Sequence, residues 1–360
     1  MNKARRCYID IHVLQTVPPS CVNRDDTGSP KTAVYGGVTR ARVSSQAWKR
    51  AIRQDFRDCF APEQLGSRTK KVLDRVVEEL LKLEPSLSRE QAEKKAEKVL
   101  QNAGISLNKK MEADALFFMS NAQAKALAAL ASDGTNDKDA CKAALKDNPS
   151  IDQALFGRMV ASDPSLNYDA AAQVAHAIST HAVQNEFDYF TAVDDCAPED
   201  NAGAGHIGTT EFNSATLYRY ATVNVDELAA WLGEETADAV KGFVQSFCCA
   251  MPTGKQKSFA NRTMPDAVYV TVRDDQPINL SGAFEKPIRA GADGYLGASE
   301  QALAEYASKT YSIFAPAPAC AFASSRGEAF SSIAECLPMR ELLERVGACV
   351  AARLAGGELK

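Results

Sequence analysis

The sequence predicts an α+β fold in which a β-α-β-β-α-β sheet carries a helical insertion and a long β-hairpin. Three observations point there. CYIDIHVLQ and DAVYVTVRDD alternate apolar and polar residues as half-buried strands do. Helical spacing dominates residues 61–150. Between 189 and 222, two alternating arms flank a Gly/Ala/Asp-rich tip. The expected divisions are therefore 1–60 (first part of the sheet, with a basic loop and helix), 61–150 (helical insertion), 151–188 (further strands), 189–222 (hairpin) and 223–360 (rest of the sheet and C-terminal helices).

Each element has its own warrant. In the first strand Ile9, Ile11 and Val13 share one face and Tyr8, Asp10 and His12 the other. Residues 17–37 are rich in Pro, Asp, Asn and Gly and are expected to be a loop. Ser44 or Ser45 can cap a helix on which Trp48, Ile52 and Phe56 form the core stripe, while Lys49, Arg53 and Arg57 form an adjacent basic stripe. In the insertion, Val72, Val76, Leu80 and Leu83 repeat at helical spacing. Ser88 and Gln91 suggest a capping box for a helix that stops at Gly104. DALFFMSNAQAKALAALASDG and DKDACKAALKDN predict two more helices. ALFGRMVAS and VAHAISTHAV are strand-like, which puts Met159 on a strand. DELAAWLGEETADAVKGFVQSFCCAMP predicts a helix or helix pair. Two further helices are expected near 298–312 and 338–354. The strand and helix order matches a ferredoxin-like or RNA-recognition-motif sheet, whose open face commonly meets single-stranded RNA.

Composition excludes several classes. The 360 residues are 45% hydrophobic and 24% charged, an ordinary globular balance with ample length for a core. No apolar run approaches ~18 residues, so no membrane span is expected. The basic N-terminus lacks a small-residue cleavage site and Asp10 interrupts its apolar stretch, so a cytoplasmic protein is expected. Ten cysteines are scattered with no C-x-x-C pair, which predicts reduced thiols rather than a zinc site or disulfide framework. No cofactor is expected: the chain has no phosphate-binding Gly-rich loop of the P-loop type, no dinucleotide fingerprint after a strand and no nucleophile elbow.

Charge is distributed unevenly. The formal net charge is -5, yet residues 1–60 hold eleven Lys/Arg against five Asp/Glu. Residues 186–238 hold twelve Asp/Glu and one cation, Arg219. Such opposed blocks steer partners: a polyanion could meet the first and a cation-rich protein surface the second. The stretch GGVTRARVSSQAWKRAIR (36–53) has five cations and no acid. Its Gly-Gly pair would let backbone approach a ligand, Ser44 and Ser45 offer hydroxyls and N–H groups at a helix start, and Lys49, Arg50 and Arg53 lie within reach of successive phosphates. The competing reading is a solvated helix surface. Arg24 in the preceding loop adds to the first reading. No aromatic pair of the base-stacking type stands out on the expected strands, so backbone holding is favoured over base reading.

Catalytic candidates are few. Asp25 and Asp26 form a carboxylate pair in the loop that could bind a metal and cleave RNA, but Asp in such loops also forms turns. His176 and His181 are five apart, a poor spacing for shared ligation. Phe212 on a hairpin arm either wedges between bases or packs across strands.

Taken in order, IDIHVLQTVPPSCVNRDDTGSPKTAVYGGVTRARVSSQAWKRAIR, ALFGRM, AHAISTHAV, DYFTAVDD, HIGTTEFNSATLYRYATVN and SGAFEKPI resemble the backbone subunit of Cascade, the CasC family of type I-E CRISPR effector complexes. The resemblance implies a non-catalytic, hand-shaped RNA-binding scaffold, with an RNA-recognition-like palm, the insertion as fingers and the hairpin as thumb. It implies copies stacked head to tail along CRISPR guide RNA, joined by other Cascade subunits and presenting the guide to target DNA. RNA contacts of the family match Arg24, Ser44, Gln46, Lys49, Arg50 and Arg53, then Met159 and Phe212, then Lys255 and Lys257 of GKQK. Lys138 and Lys142 fall where relatives contact target DNA. Asn213 stands where a smaller hydroxyl residue is expected. The rival reading is a metal-dependent endoribonuclease of the same superfamily using Asp25 or Asp26.

Overall fold

The protein is described by a computed structural model covering residues 6–160, 163–192 and 206–356. In chain order the elements begin with β1 (Tyr8–Ser20), β2 (Thr32–Tyr35), β3 (Val38–Val43), α1 (Ser45–Cys59), β4 (Gly66–Thr69), α2 (Val72–Leu83), α3 (Arg89–Asn102), β5 (Phe117–Ser120), α4 (Asn121–Ser132), α5 (Lys138–Lys146) and α6 (Ile151–Phe156). They continue with β6 (Ala172–Val174), β7 (Ala177–Ser179), β8 (Glu186–Ala192), β9 (His206–Asn224), α7 (Val225–Leu232), α8 (Thr236–Cys249), α9 (Gln256–Phe259), β10 (Ala267–Arg273), α10 (Leu296–Ile313), β11 (Cys320–Ser325), β12 (Glu335–Cys336) and α11 (Met339–Leu354). The chain divides into two compact units: Met1–Gln54 with Val174–Thr222 and Phe243–Lys360, and Asp55–Gln173 with Val223–Gly242.

The first unit is built on a large, mostly antiparallel sheet in the order β12-β11-β10-β1-β9-β7-β3-β2, with β6 and β8 also paired to β9. The alternation in the sequence sets the central register: Ile9 faces Val272, Ile11 faces Val270 and Val13 faces Val268. β1 runs on through Pro18 and Pro19 to Ser20, farther than its Pro-rich sequence suggests. Its ladder with β10 ends at Leu14, so the prolines forfeit no bond to that neighbour.

The open sheet face expected from the sequence is closed. Asp10, His12 and Tyr269, on the face opposite the Ile/Val row, are all buried. Leu303, Ala304 and Ala307 of α10, with Leu280 and Phe284, pack over Tyr218, Tyr220 and Tyr269. The face does carry aromatics: the His12 ring lies 5.2 Å from Tyr220 and 5.6 Å from Tyr269. They stack on one another under a C-terminal helix, out of reach of a nucleobase. Asp10 accepts from Tyr220 Oη (2.9 Å) and the Ile278 N–H (2.8 Å), yet burial outweighs these bonds and raises its pKa to about 6. Burial lowers His12 to about 3.

Arg219, the single cation in the acidic block, is also interior. Its guanidinium sits 3.7 Å from the Trp48 ring centroid and donates to Gln15 Oε1 at 2.7 Å and to the Phe247 carbonyl. Burial lowers its pKa to about 10.

The second unit holds α2 to α7 and the β4–β5 pair, around a core of residues such as Val76, Leu80, Ala96, Leu100 and Leu127. Ser88 and Gln91 form the expected capping box, and Gly104 follows α3 with φ +89°. Two sequence expectations fail here. DALFFMSNAQ opens as a strand, β5, because Phe117–Ser120 pairs with Gly66–Thr69 before Ser120 caps α4. ALFGRMVAS is not a strand: Ser150 and Gln153 cap the helix α6, which ends at Gly157. Gly157 takes φ +74°, and a Cβ there would lie 2.9 Å from the Tyr168 carbonyl.

Candidate nucleic-acid interface

The first unit contains an open cleft of about 700 Å³ between residues 22–28, the first turns of α1 and residues 252–254. Arg24, Ser44, Gln46 and Arg50 all line it, as do Asp25 and Asp26. Ser44 is the helix cap: its Oγ accepts from the Ala47 N–H at 3.3 Å. The Ser44 N–H in turn donates to Asn23 Oδ1 at 2.9 Å, tying the loop to the helix start. Trp48, Ile52 and Phe56 are buried, which turns Gln46, Arg50 and Gln54 toward the cleft. Lys49 and Arg53 are half-buried on the neighbouring stripe and do not line the cleft itself.

The 252–259 segment forms the far wall. Gly254 is required there: a Cβ would fall 2.1 Å from the Val22 carbonyl oxygen, so this chain presses directly on the end of the Arg24 loop. Lys255 adopts φ +43° and its ammonium donates to Thr210 Oγ1 on β9. Lys257 is exposed on α9. Phe212 on β9 is half-buried, its ring 5.9 Å from Phe259, so it packs across to α9. Asn213 is buried and donates to Asn185 Oδ1 at 3.0 Å. On β8 and β9, Phe187, Tyr189 and Ile207 are largely exposed. The hairpin tip, residues 193–205 with Asp194, Asp195, Glu199 and Asp200, lies outside the described residues.

Asp25 is a turn former. Its Oδ1 accepts from Thr27 Oγ1 (2.7 Å) and from the N–H groups of Thr27 and Ser29 (3.0 Å each). These bonds, led by the Thr27 hydroxyl, hold its carboxyl below the ordinary carboxylate range. Among the described residues no three His, Cys, Asp or Glu side chains gather as metal ligands. His176 contacts Arg42 Nη1 at 3.3 Å, and His181 accepts from the Thr216 N–H at 3.1 Å, so the two histidines serve separate places.

Three members of the basic sequence serve the fold itself. Arg40 is buried and donates to the carbonyls of Tyr35 (3.1 Å), Ser179 (2.9 Å) and Phe284 (2.8 Å); it anchors the fold instead of meeting a phosphate. Gly36 and Gly37 make the two-residue turn of the β2–β3 hairpin, with φ +59° and +77°. A Cβ on Gly36 would lie 1.7 Å from the Glu285 carbonyl oxygen, so its close approach is to this chain's own backbone.

The remaining predicted residues belong to the second unit. Met159 is 85% exposed in the extended segment after α6. Lys138 is exposed at the start of α5. Lys142 pairs with Asp163 Oδ2 at 2.9 Å. The Ser165 hydroxyl and then Lys142 lower the Asp163 carboxyl to about 2.

The pattern of the CT1975-like protein family matches residues 9–345. No curated protein matches the chain. Among solved structures, a chain described as "CRISPR RNA-guided surveillance complex, pre-nicking" aligns with a TM-score of 0.79 at 32% identity, over 96% of this chain and 99% of that one. A second, described as "CRISPR RNA-guided surveillance complex", aligns with a TM-score of 0.65 at 30% identity, again over 96% and 99%.

Proposed function

Because the chain belongs to the CT1975-like protein family, we propose that it is the guide-RNA-binding backbone subunit of a CRISPR surveillance complex, of type I-E. It is a non-catalytic, cytoplasmic scaffold whose RNA-recognition-like palm grips the sugar-phosphate chain of the guide. Copies continue head to tail, with other subunits, and leave bases free to pair with target DNA, so that pairing supplies specificity. The observation that carries this reading is the convergence of Arg24, Ser44, Gln46 and Arg50 on one open cleft. Two exposed guanidinium-bearing residues, Arg24 and Arg50, and a helix start suit a polyanion held by its backbone. Lys49, Arg53, Lys255 and Lys257 extend the positive rim. Phe212 and the exposed Met159 supply apolar contacts to bases. Lys138, exposed and near the start of its helix, is the stronger of the two DNA-facing lysines, since Lys142 is engaged by Asp163. The turn-forming bonds of Asp25 support a structural loop over a metal-dependent nuclease.

The test is purification of the full chain from cells that express a CRISPR array, followed by sequencing of bound nucleic acid. Guide RNA is expected with the wild type and is lost from a folded Arg24→Glu/Arg50→Glu variant. Retention of guide RNA by that variant would refute the site. Magnesium-dependent RNA cleavage abolished by Asp26→Ala would favour the endoribonuclease.

A further inference from the structure

The Arg24 loop is internally closed. Asp25 N–H donates to the Ser29 carbonyl (2.9 Å), and Lys31 N–H donates to the Asn23 carbonyl (2.8 Å). Within the first unit three struts fix this closed loop. Asn23 is tied to the start of α1, and Val22 is pressed by Gly254. The third strut is a carboxylate. Ser29 Oγ donates to Glu211 Oε1 at 2.8 Å, and Asn185 Nδ2 donates to Glu211 Oε2 at 3.3 Å. Asn185 Oδ1 then accepts from Asn213 Nδ2. Glu211 precedes Phe212, and Thr210 before it receives Lys255. One acidic side chain thus joins the loop that carries Arg24 to the hairpin arm that carries Phe212.

A negative charge beside a site for polyanion phosphates opposes binding by simple electrostatics. A carboxylate is also acceptor-only, so it sets the amide orientation of Asn185 and through it of Asn213. We propose that Glu211 is a positioning residue: it clamps the Arg24 loop to the hairpin arm so that both engage one RNA strand. The clamp rests on the guide-RNA reading for its purpose, though not for its existence.

Two readouts on the full chain separate these. The first needs no RNA: the rate of trypsin cleavage after Arg24 and Lys31. Losing the Ser29–Glu211 hydrogen bond, made to a charged acceptor, raises loop opening by about tenfold or more in Glu211→Ala and in Ser29→Ala. Glu211→Gln, whose amide carbonyl still accepts from Ser29, returns cleavage toward the wild-type rate. The second is affinity for a fluorescently labelled single-stranded RNA of arbitrary sequence. Glu211→Ala is expected to bind about fivefold more weakly although it removes a negative charge, and Glu211→Gln to regain most of that loss. Wild-type cleavage and equal or tighter RNA binding in both alanine variants would overturn the clamp while leaving the RNA reading intact. Faster cleavage with unchanged RNA affinity would overturn its role in binding. A wild-type chain that binds no RNA would overturn the reading of the site and, with it, the purpose given to Glu211.

Discussion

At the scale of single residues, the interior polar groups give the sharpest expectations. His12 stays neutral in the fold down to about pH 3, while the unfolded chain takes up its proton near its ordinary value of 6.5. Its contribution to stability is therefore present above pH 6.5 and is lost as pH falls toward 3, by about 1.4 kcal/mol per pH unit. Asp10 runs the other way. Its folded pKa of about 6 stands above its ordinary 3.8, so its contribution is present below 3.8 and is lost as pH rises to about 6. Between about pH 4 and 6 the two slopes cancel. Asp10→Asn should uncover the His12 slope: the variant's stability relative to wild type should worsen by about 1.4 kcal/mol for each pH unit between 6 and 4. Urea melts at pH 4.5, 5.5 and 7 measure this, and a pH-independent difference would contradict it. This pair was half legible in the sequence. Alternation placed Asp10 and His12 on the face opposite Ile9 and Ile11, but nothing local to β1 indicates that α10, some 290 residues later, covers that face.

Elements with strong local signals were readable. The Ser88 cap, the stop at Gly104 and the Trp48/Ile52/Phe56 stripe all depend on neighbours within one or two turns, and the structure has them. Elements decided by a distant partner were not. Phe117–Ser120 has an apolar run that suits a helix, and it becomes a strand because Gly66–Thr69 offers a ladder. The Gly36-Gly37 pair turns a hairpin; β2 is only four residues long and leaves a weak signal for that turn in the sequence. The two glycines provide their own control. Gly36→Ala should destabilise the protein by about 2 kcal/mol or more, from left-handed strain and the clash with Glu285. Gly37→Ala, with nothing within 4 Å, should cost about 1 kcal/mol. Equal thermal shifts for the two variants would show that the Glu285 contact is unimportant. In the second unit, Leu100→Ala removes a fully buried side chain of the helical core and should cost about 2–5 kcal/mol in denaturant melts.

For the whole molecule, the excess of positive charge at 1–60 was visible in the sequence; its distribution was not. Arg40 goes to the interior, Arg24 and Arg50 to one cleft, and Arg42 to His176. The same sorting applies to 186–238, where the single cation is core and Glu211 is a strut. Resemblance to a CRISPR backbone subunit supplied ten expected RNA contacts as a set, and the folded chain brings four of those ten residues into one cleft. The central claim is that this cleft holds phosphates. The most direct measurement is the affinity of the full chain for single-stranded RNA as a function of salt, for wild type and for Arg24→Ala/Arg50→Ala. Each lost phosphate contact lowers the slope of log affinity against log salt by about 0.7, so the double variant should bind more weakly with a slope shallower by about 1.4. An unchanged affinity and slope would contradict the account.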